Sequence, residues 1–303
     1  RRLFAATHSQ PAMTFTLFLD LLAAGLITGG IYAIVAIGLN LQYGLMRVMN
    51  IAHGEFLMLG AYLTYVLHTT LGLNPLATLP ISMAALFLLG LLVHRLVLRR
   101  LVCTSPNTDV FEARGLVASF GLMFVVQNLA LMVWGADLRG YTYLAEPLQL
   151  GGVIMPQNRL LVFAVVVVLS AGLIGALRFT LIGKAIRAMM QAPLGAQLVG
   201  IDTARLHPYC FGAGLALAGV AGALLSMVYE ISPGMGEPYT ITALIVITLG
   251  GYGSIVGSLA AGLLLGLVET FGMHFTSPSL KMVLSYAVFI GVLMFKPKGL
   301  FAK

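Results

Sequence analysis

The chain has 303 residues, of which 59% are hydrophobic and only 9% charged, with a mean hydropathy of +0.99. A soluble globular domain carries about 25% charged residues, so this composition excludes a water-covered surface of that size and describes a polytopic membrane protein. The formal net charge of +7 comes from Lys and Arg in short groups between apolar runs, the distribution of membrane loops and not of a nucleic-acid face.

In chain order, the first twelve residues, RRLFAATHSQPA, read as a leader at 1–12, ahead of a transmembrane domain at 13–303. Apolar runs follow at about 15–39, 49–67, 76–98, 115–135, 159–178, 209–229, 240–252, 254–275 and 280–295. Each is expected to be helical, because an isolated strand leaves its backbone unpaired in hydrocarbon. The run at 240–252 is too short to cross a bilayer at about 1.5 Å per residue, and is expected as a broken helix or a re-entrant piece. The expected fold class is all-α and polytopic, with about eight to nine transmembrane helices, some discontinuous. The remaining hydrophilic stretches are too short for a soluble domain.

Lys and Arg orient the spans. Arg95, Arg99, Arg100 and Arg114 assign the 94–114 loop to the cytoplasm; Arg178, Lys184, Arg187 and Arg205 do the same for 178–207, and Lys296, Lys298 and Lys303 for the tail. The segments 68–76, 230–239 and 274–279 carry no Lys or Arg and are assigned outside, together with 136–158. Nine full crossings put the N-terminus outside and eight with a re-entrant piece put it inside; the charges fit both.

The stretch MRVMNIAHGEFLMLGAY (46–62) sets Asn50, His53 and Glu55 in an apolar run. His53 and Glu55 lie about 200° apart on a helix, so they form no zinc pair of the HExxH kind. Neither a second His or Cys at ligand spacing nor a serine-nucleophile elbow occurs. LIGKAIRA lacks the glycine and the Ser or Thr of a phosphate loop. No catalytic residue and no metal site is therefore assigned. Cys103 and Cys210 are expected to be buried apolar side chains. A mid-bilayer charge costs about 3 kcal/mol, which singles out Asn50, His53, Glu55, Gln127, Asn128 and Glu269. For His53 and Glu55 the competing readings are pathway lining and capping of backbone at a helix break. Glu269, near a span end, either serves the pathway or snorkels.

In 178–202, Ile182, Ile186 and Met189 recur on one helical face and Lys184, Arg187 and Gln191 on another, before Pro193. This is an amphipathic helix lying flat on a partner or on lipid headgroups. In GGYGSIVGSLAAGLLLG, Gly253 and Gly257 form one small-residue pair and Gly262 and Gly266 another, about 180° away. Small residues on both faces let a helix approach two neighbours, and Gly250 and Gly251 mark a packing site or hinge at the break.

Together GGIYAIVAIGLNLQYG (29–44), VMNIAHGEFLMLGAY (48–62), GKAIRAMMQAPLGAQLVGID (183–202), LGGYGSIVGSLAAGLLLGLVE (249–269) and KPKGL (296–300) resemble, in order, the smaller permease subunits of branched-chain amino acid ABC transporters. The resemblance implies a multi-pass protein of the bacterial inner membrane, partnered by a related but different permease, two ABC ATPases and a periplasmic solute-binding protein. It implies that ATP and Mg bind the ATPases, with no cofactor on this chain. It further implies that the segment 183–202, within a cytoplasmic loop at 179–206, is the coupling loop that contacts an ATPase. Lys184, Arg187, Gln191, Pro193, Gly200 and Asp202 are expected to serve that coupling, and Asn50, His53, Glu55 and Glu269 are expected along the solute path or gate. Ala192 and Leu194 stand where such loops are often acidic, which implies a more apolar ATPase groove. The family also serves urea, short amides and aromatic or dicarboxylic solutes. Outside the family, the rival readings are an ion-coupled transporter or channel, which needs paired intramembrane carboxylates, and an intramembrane enzyme, which needs a nucleophile or metal set.

Overall fold

The computed structural model describes residues 15–150, 153–296 and 299–300. The expected leader at 1–12, and Lys298 and Lys303 of the basic tail, lie outside them. Twelve helices follow in order: α1 (Phe15–Met46), α2 (His53–Leu71), α3 (Pro75–Val93), α4 (Arg99–Thr104), α5 (Thr108–Trp134), α6 (Gln157–Phe179), α7 (Leu181–Gln191), α8 (Pro193–Leu198), α9 (Thr203–Ser226), α10 (Gly236–Gly250), α11 (Ile255–Phe275) and α12 (Lys281–Phe295). A π-helical turn, His94–Leu98, joins α3 to α4 without interruption, so Pro75–Thr104 is one continuous span. Among the described residues, six helical stretches are long and apolar enough to cross a membrane: α1, α3 through α4, α5, α6, α9 and α11. Helices α2, α10 and α12 are apolar but shorter or more polar.

Helices α1 and α9 form the centre. In their most apolar windows 67% and 83% of residues are buried, against 22% in α5 and α6. Lipid tails provide no hydrophobic drive for helix association, so close approach through small residues provides the packing. Along α1 and α11, which run antiparallel, a Cβ on Gly262 would come 2.7 Å from the Ala33 Cα, and one on Gly29 would come 2.7 Å from the Leu263 Cα. Gly257, on another face of α11, lies against Gly250 of α10. Helix α9 meets α3 in the same way, with Gly90 facing Gly212.

The ends differ in charge. One end gathers Arg47, the 94–114 segment, the 178–207 segment and Lys296. There Gly44 packs on Met190 and Gly253, the His94 ring lies 6.2 Å from that of Phe211, and the Leu300 amide donates to the Leu249 carbonyl at 2.7 Å. The opposite end holds the 135–156 segment, in which β1 (Pro147–Leu150) pairs antiparallel with β2 (Val153–Pro156). The expectation that each apolar run is helical holds; this hairpin lies between the runs 115–135 and 159–178, outside hydrocarbon, where water can satisfy its edges. Arg139 and Ile231 exchange backbone hydrogen bonds of 2.9 and 2.7 Å at this end. The Tyr141 hydroxyl lies 2.9 Å from that of Ser226, and burial, partly offset by that bond, pushes its phenol up to about 12. Cys103 corrects an expectation: it is exposed at the end of α4, whereas Cys210 is buried in α9.

Candidate functional site at the meeting of two helix N-termini

After Met46 the chain leaves α1 at the basic end and turns back on itself, with Arg47 at a positive φ of 53°. Residues 47–52 then climb without helical structure. Ser119 of α5 holds this climb on both sides, accepting from the Ile51 amide at 3.2 Å and donating to the Met49 carbonyl at 3.1 Å. Helix α2 starts at His53, whose Nε2 donates to the Val35 carbonyl of α1 at 3.1 Å. From Val35 to Met46 helix α1 rises about 16 Å at about 1.5 Å per residue, roughly half of a hydrocarbon core about 30 Å thick. Helix α2 therefore begins near mid-depth.

Helix α10 begins at the same depth. The Gly54 amide donates to the Thr240 hydroxyl at 2.8 Å, and Gly54 and Gly236 touch so closely that a Cβ on either would meet the other's backbone. Two helix N-termini thus meet inside the bundle, each with the partial positive charge of unpaired amide groups. The Glu55 carboxyl sits on this junction: a Cβ on Gly236 would come 2.9 Å from its Cδ. Glu55 is fully buried, and neither carboxyl oxygen has a hydrogen-bond partner. His53 Nδ1 is likewise buried and unpartnered. Asn50 donates to Gln42 Oε1 at 3.1 Å, and Gln42 donates to the Phe211 carbonyl of α9 at 3.2 Å. Helix α2 has Ala52 at its N-cap position and no side-chain cap, so Asn50, His53 and Glu55 do not cap this break.

Glu269 of α11 is only 2% exposed and does not snorkel. It accepts from the Tyr32 hydroxyl at 2.7 Å and from the Ser285 hydroxyl of α12, and the Lys281 ammonium lies 3.5 Å away. Asn128 bonds back to the Phe124 carbonyl of its own helix at 2.8 Å. Between α10 and α11 the chain breaks at Gly251 and Gly253, with φ of 91° and 77°, values that favour glycine. Asn40 ties this break together. Its amide donates to the Gly251 carbonyl at 3.3 Å, the Ser254 carbonyl at 3.1 Å and the Ser258 hydroxyl at 2.7 Å, and its oxygen accepts from the Gly253 amide at 2.6 Å. Asn40, Gln42, Tyr32 and Lys281 are not among the residues that sequence pattern singles out; for the first two, a lone amide side chain in an apolar run is the signal available.

At the basic end, α7 turns Gly183, Ile186 and Met189 inward and leaves Lys184, Arg187 and Gln191 exposed. Ile182, expected on the buried stripe, is 66% exposed, because Gly183 packs against α6 in the place a stripe starting at Ile182 would need. Pro193 starts α8, Gly200 turns at a φ of 86°, and Asp202 caps α9 through the Arg205 amide at 3.1 Å.

The family model for the permease component of branched-chain amino acid transport systems matches residues 21–293. The high-affinity branched-chain amino acid transport permease protein BraD of Pseudomonas aeruginosa is 31% identical over 94% of this chain and 96% of its own length. LivH of Escherichia coli, named for the same kind of system, is 28% identical over 95% of this chain and 97% of its own length. LivM of Salmonella typhimurium is 27% identical over 89% of this chain and 67% of its own length.

Proposed function

The chain belongs to the family of branched-chain amino acid transport permease components, and from that premise we propose that it is one of two permease subunits of an ATP-driven importer in a bacterial inner membrane. The names BraD and LivH support branched-chain amino acids as the solutes. Similarity to both LivH and LivM supports a related but different partner permease. The basic end faces the cytoplasm by the positive-inside rule. There α7 and α8 meet one of two ABC ATPases, which bind ATP and Mg, and the hairpin end receives a periplasmic solute-binding protein. This chain takes no catalytic part.

The observation that carries the reading is the mid-depth junction of α2 and α10. Broken helices that end inside a membrane are favoured where they line a cavity or path. A fully buried carboxyl with both oxygens unpartnered is hard to explain as packing alone. Alternating access requires two arrangements of the same helices. Helix α7 touches α1 through Met190 and Gly44, and Gly200 and Asp202 lead directly into α9. A push on the 179–206 loop therefore reaches the two helices against which the start of α2 is held, through Val35 of α1 and through Gln42 to Phe211 of α9. Asn50, His53 and Glu55 then line or gate the path, and Glu269 steadies its outer half.

The test is uptake by the complete transporter in proteoliposomes with its binding protein. Alanine at Asn50, His53 and Glu55 together is expected to lower uptake at least about tenfold, a loss of about 1.4 kcal/mol or more, with assembly intact. Wild-type uptake by the assembled triple variant would refute the pathway role.

A further inference from the structure

Between α1, α10 and α12, in the half of the molecule away from the basic end, lies a cavity of about 350 Å³. A smaller one of about 130 Å³ shares Tyr32, Pro238, Tyr239 and Lys281 with it. The larger volume falls within the range of small-ligand sites, about 300–1,000 Å³.

Three features of its wall go beyond packing. Lys281 is the first residue of α12, where a cation opposes the helix dipole. Its ammonium is 3.5 Å from Glu269, longer than a charge-assisted hydrogen bond of about 2.8 Å, and 5.6 Å from the Tyr32 ring centroid. Glu269 already accepts from two hydroxyls, and an ammonium has three donors, so Lys281, 40% exposed, keeps donors for the cavity. Glu230 lines the same cavity and has no ion-pair or hydrogen-bond partner among the described residues. Ile31, Leu225 and Met235 supply an apolar wall.

We propose that this cavity is a solute site within the permease itself, shaped for the zwitterion of an aliphatic α-amino acid. Lys281 takes the carboxylate, Glu230 takes the ammonium with help from the tyrosine faces, and the side chain lies on Ile31, Leu225 and Met235. The proposal rests on the reading of the chain as an amino acid permease. It adds a station at which the solute is held after release from the binding protein.

The experiment measures tritiated L-leucine binding to the permease–ATPase complex in lipid nanodiscs, without binding protein. Saturable binding is expected, with L-leucinamide and isocaproate, which lack the carboxylate and the ammonium respectively, competing at least about tenfold less well than leucine, as for loss of one charged hydrogen bond. Lys281→Met is expected to weaken binding by at least about the same factor, and Lys281→Arg to keep most of it. Thr28→Trp fills the cavity from α1 and leaves Lys281 and Glu269 themselves unsubstituted, so it decides the matter if Lys281→Met does not assemble. No saturable binding by the wild-type complex, or binding unchanged in Thr28→Trp, overturns the site. If leucine uptake with the binding protein persists while binding is absent, the site falls and the permease reading stands. If no aliphatic amino acid is taken up by the intact system, the reading falls whatever the nanodiscs show.

Discussion

Asn40 holds the α10–α11 break with a single side-chain amide, bonding Gly251, Gly253, Ser254 and Ser258 from the last two turns of α1. The glycines there have no side chains to fix a conformation, and their positive φ values leave backbone groups unpaired by any helix. Interhelical hydrogen bonds inside membrane proteins contribute on average about 0.6 kcal/mol each, so the three that two N–H groups and one oxygen can make contribute about 2 kcal/mol. Asn40→Ala is expected to lower stability by about that amount in reversible unfolding from mixed micelles. Asn40→Asp is expected to be worse, since it adds a buried charge beside three acceptors. An unchanged unfolding midpoint for the alanine variant would remove Asn40 from this role. The same residue shows where sequence reasoning stops. Asn50, His53 and Glu55 stood out as polar groups in an apolar run, but their partners Gln42, Val35 and Gly236 come from other parts of the chain. No local pattern encodes such pairings.

Among the elements, α7 is the one whose two faces have opposite demands. Its inner face is satisfied within the chain by Gly183, Ile186 and Met189. Its outer side, continued by α8, presents Lys184, Arg187 and Gln191 beside Leu181, Ile182, Leu194 and Leu198, the last 88% exposed. An exposed apolar patch with charges interleaved marks a protein contact more than a solvated surface. Reversing both charges, Lys184→Glu with Arg187→Glu, is expected to abolish co-purification of the ATPases while the permease pair remains in the membrane. An intact complex with transport-coupled ATP hydrolysis would show that α7 merely rests on headgroups. Helical periodicity located this element and its basic face correctly. It placed Ile186 and Met189 on the buried stripe correctly and missed only its first member, Gly183 in place of Ile182, since periodicity cannot tell that a glycine packs closer than an isoleucine.

At the scale of the whole molecule, the nine long apolar segments of the sequence all appear as helices. The bilayer forces that outcome, because a helix pairs its backbone internally wherever it is placed. Depth is different: that α2 and α10 start inside the bundle follows from contacts between distant segments, and hydropathy averages over them. The side of each loop rests on charge alone, and the two native cysteines can test it. Arg95, Arg99 and Arg100 lead into Cys103, which is exposed at the basic end. Cys210, the first buried residue of α9, is 2% exposed. A membrane-impermeant maleimide is therefore expected to label the chain in inverted vesicles and leave it unlabelled in right-side-out vesicles or whole spheroplasts. Cys103→Ser should abolish the signal, and Cys210 should react only after denaturation. Labelling of Cys103 from the outside would invert the assignment of every loop at once, because α1, α2, α3, α5, α6 and α9 alternate in direction and cannot be reoriented singly. It would put α7 on the face that receives solute, and the coupling role proposed for Lys184 and Arg187 would fall with it.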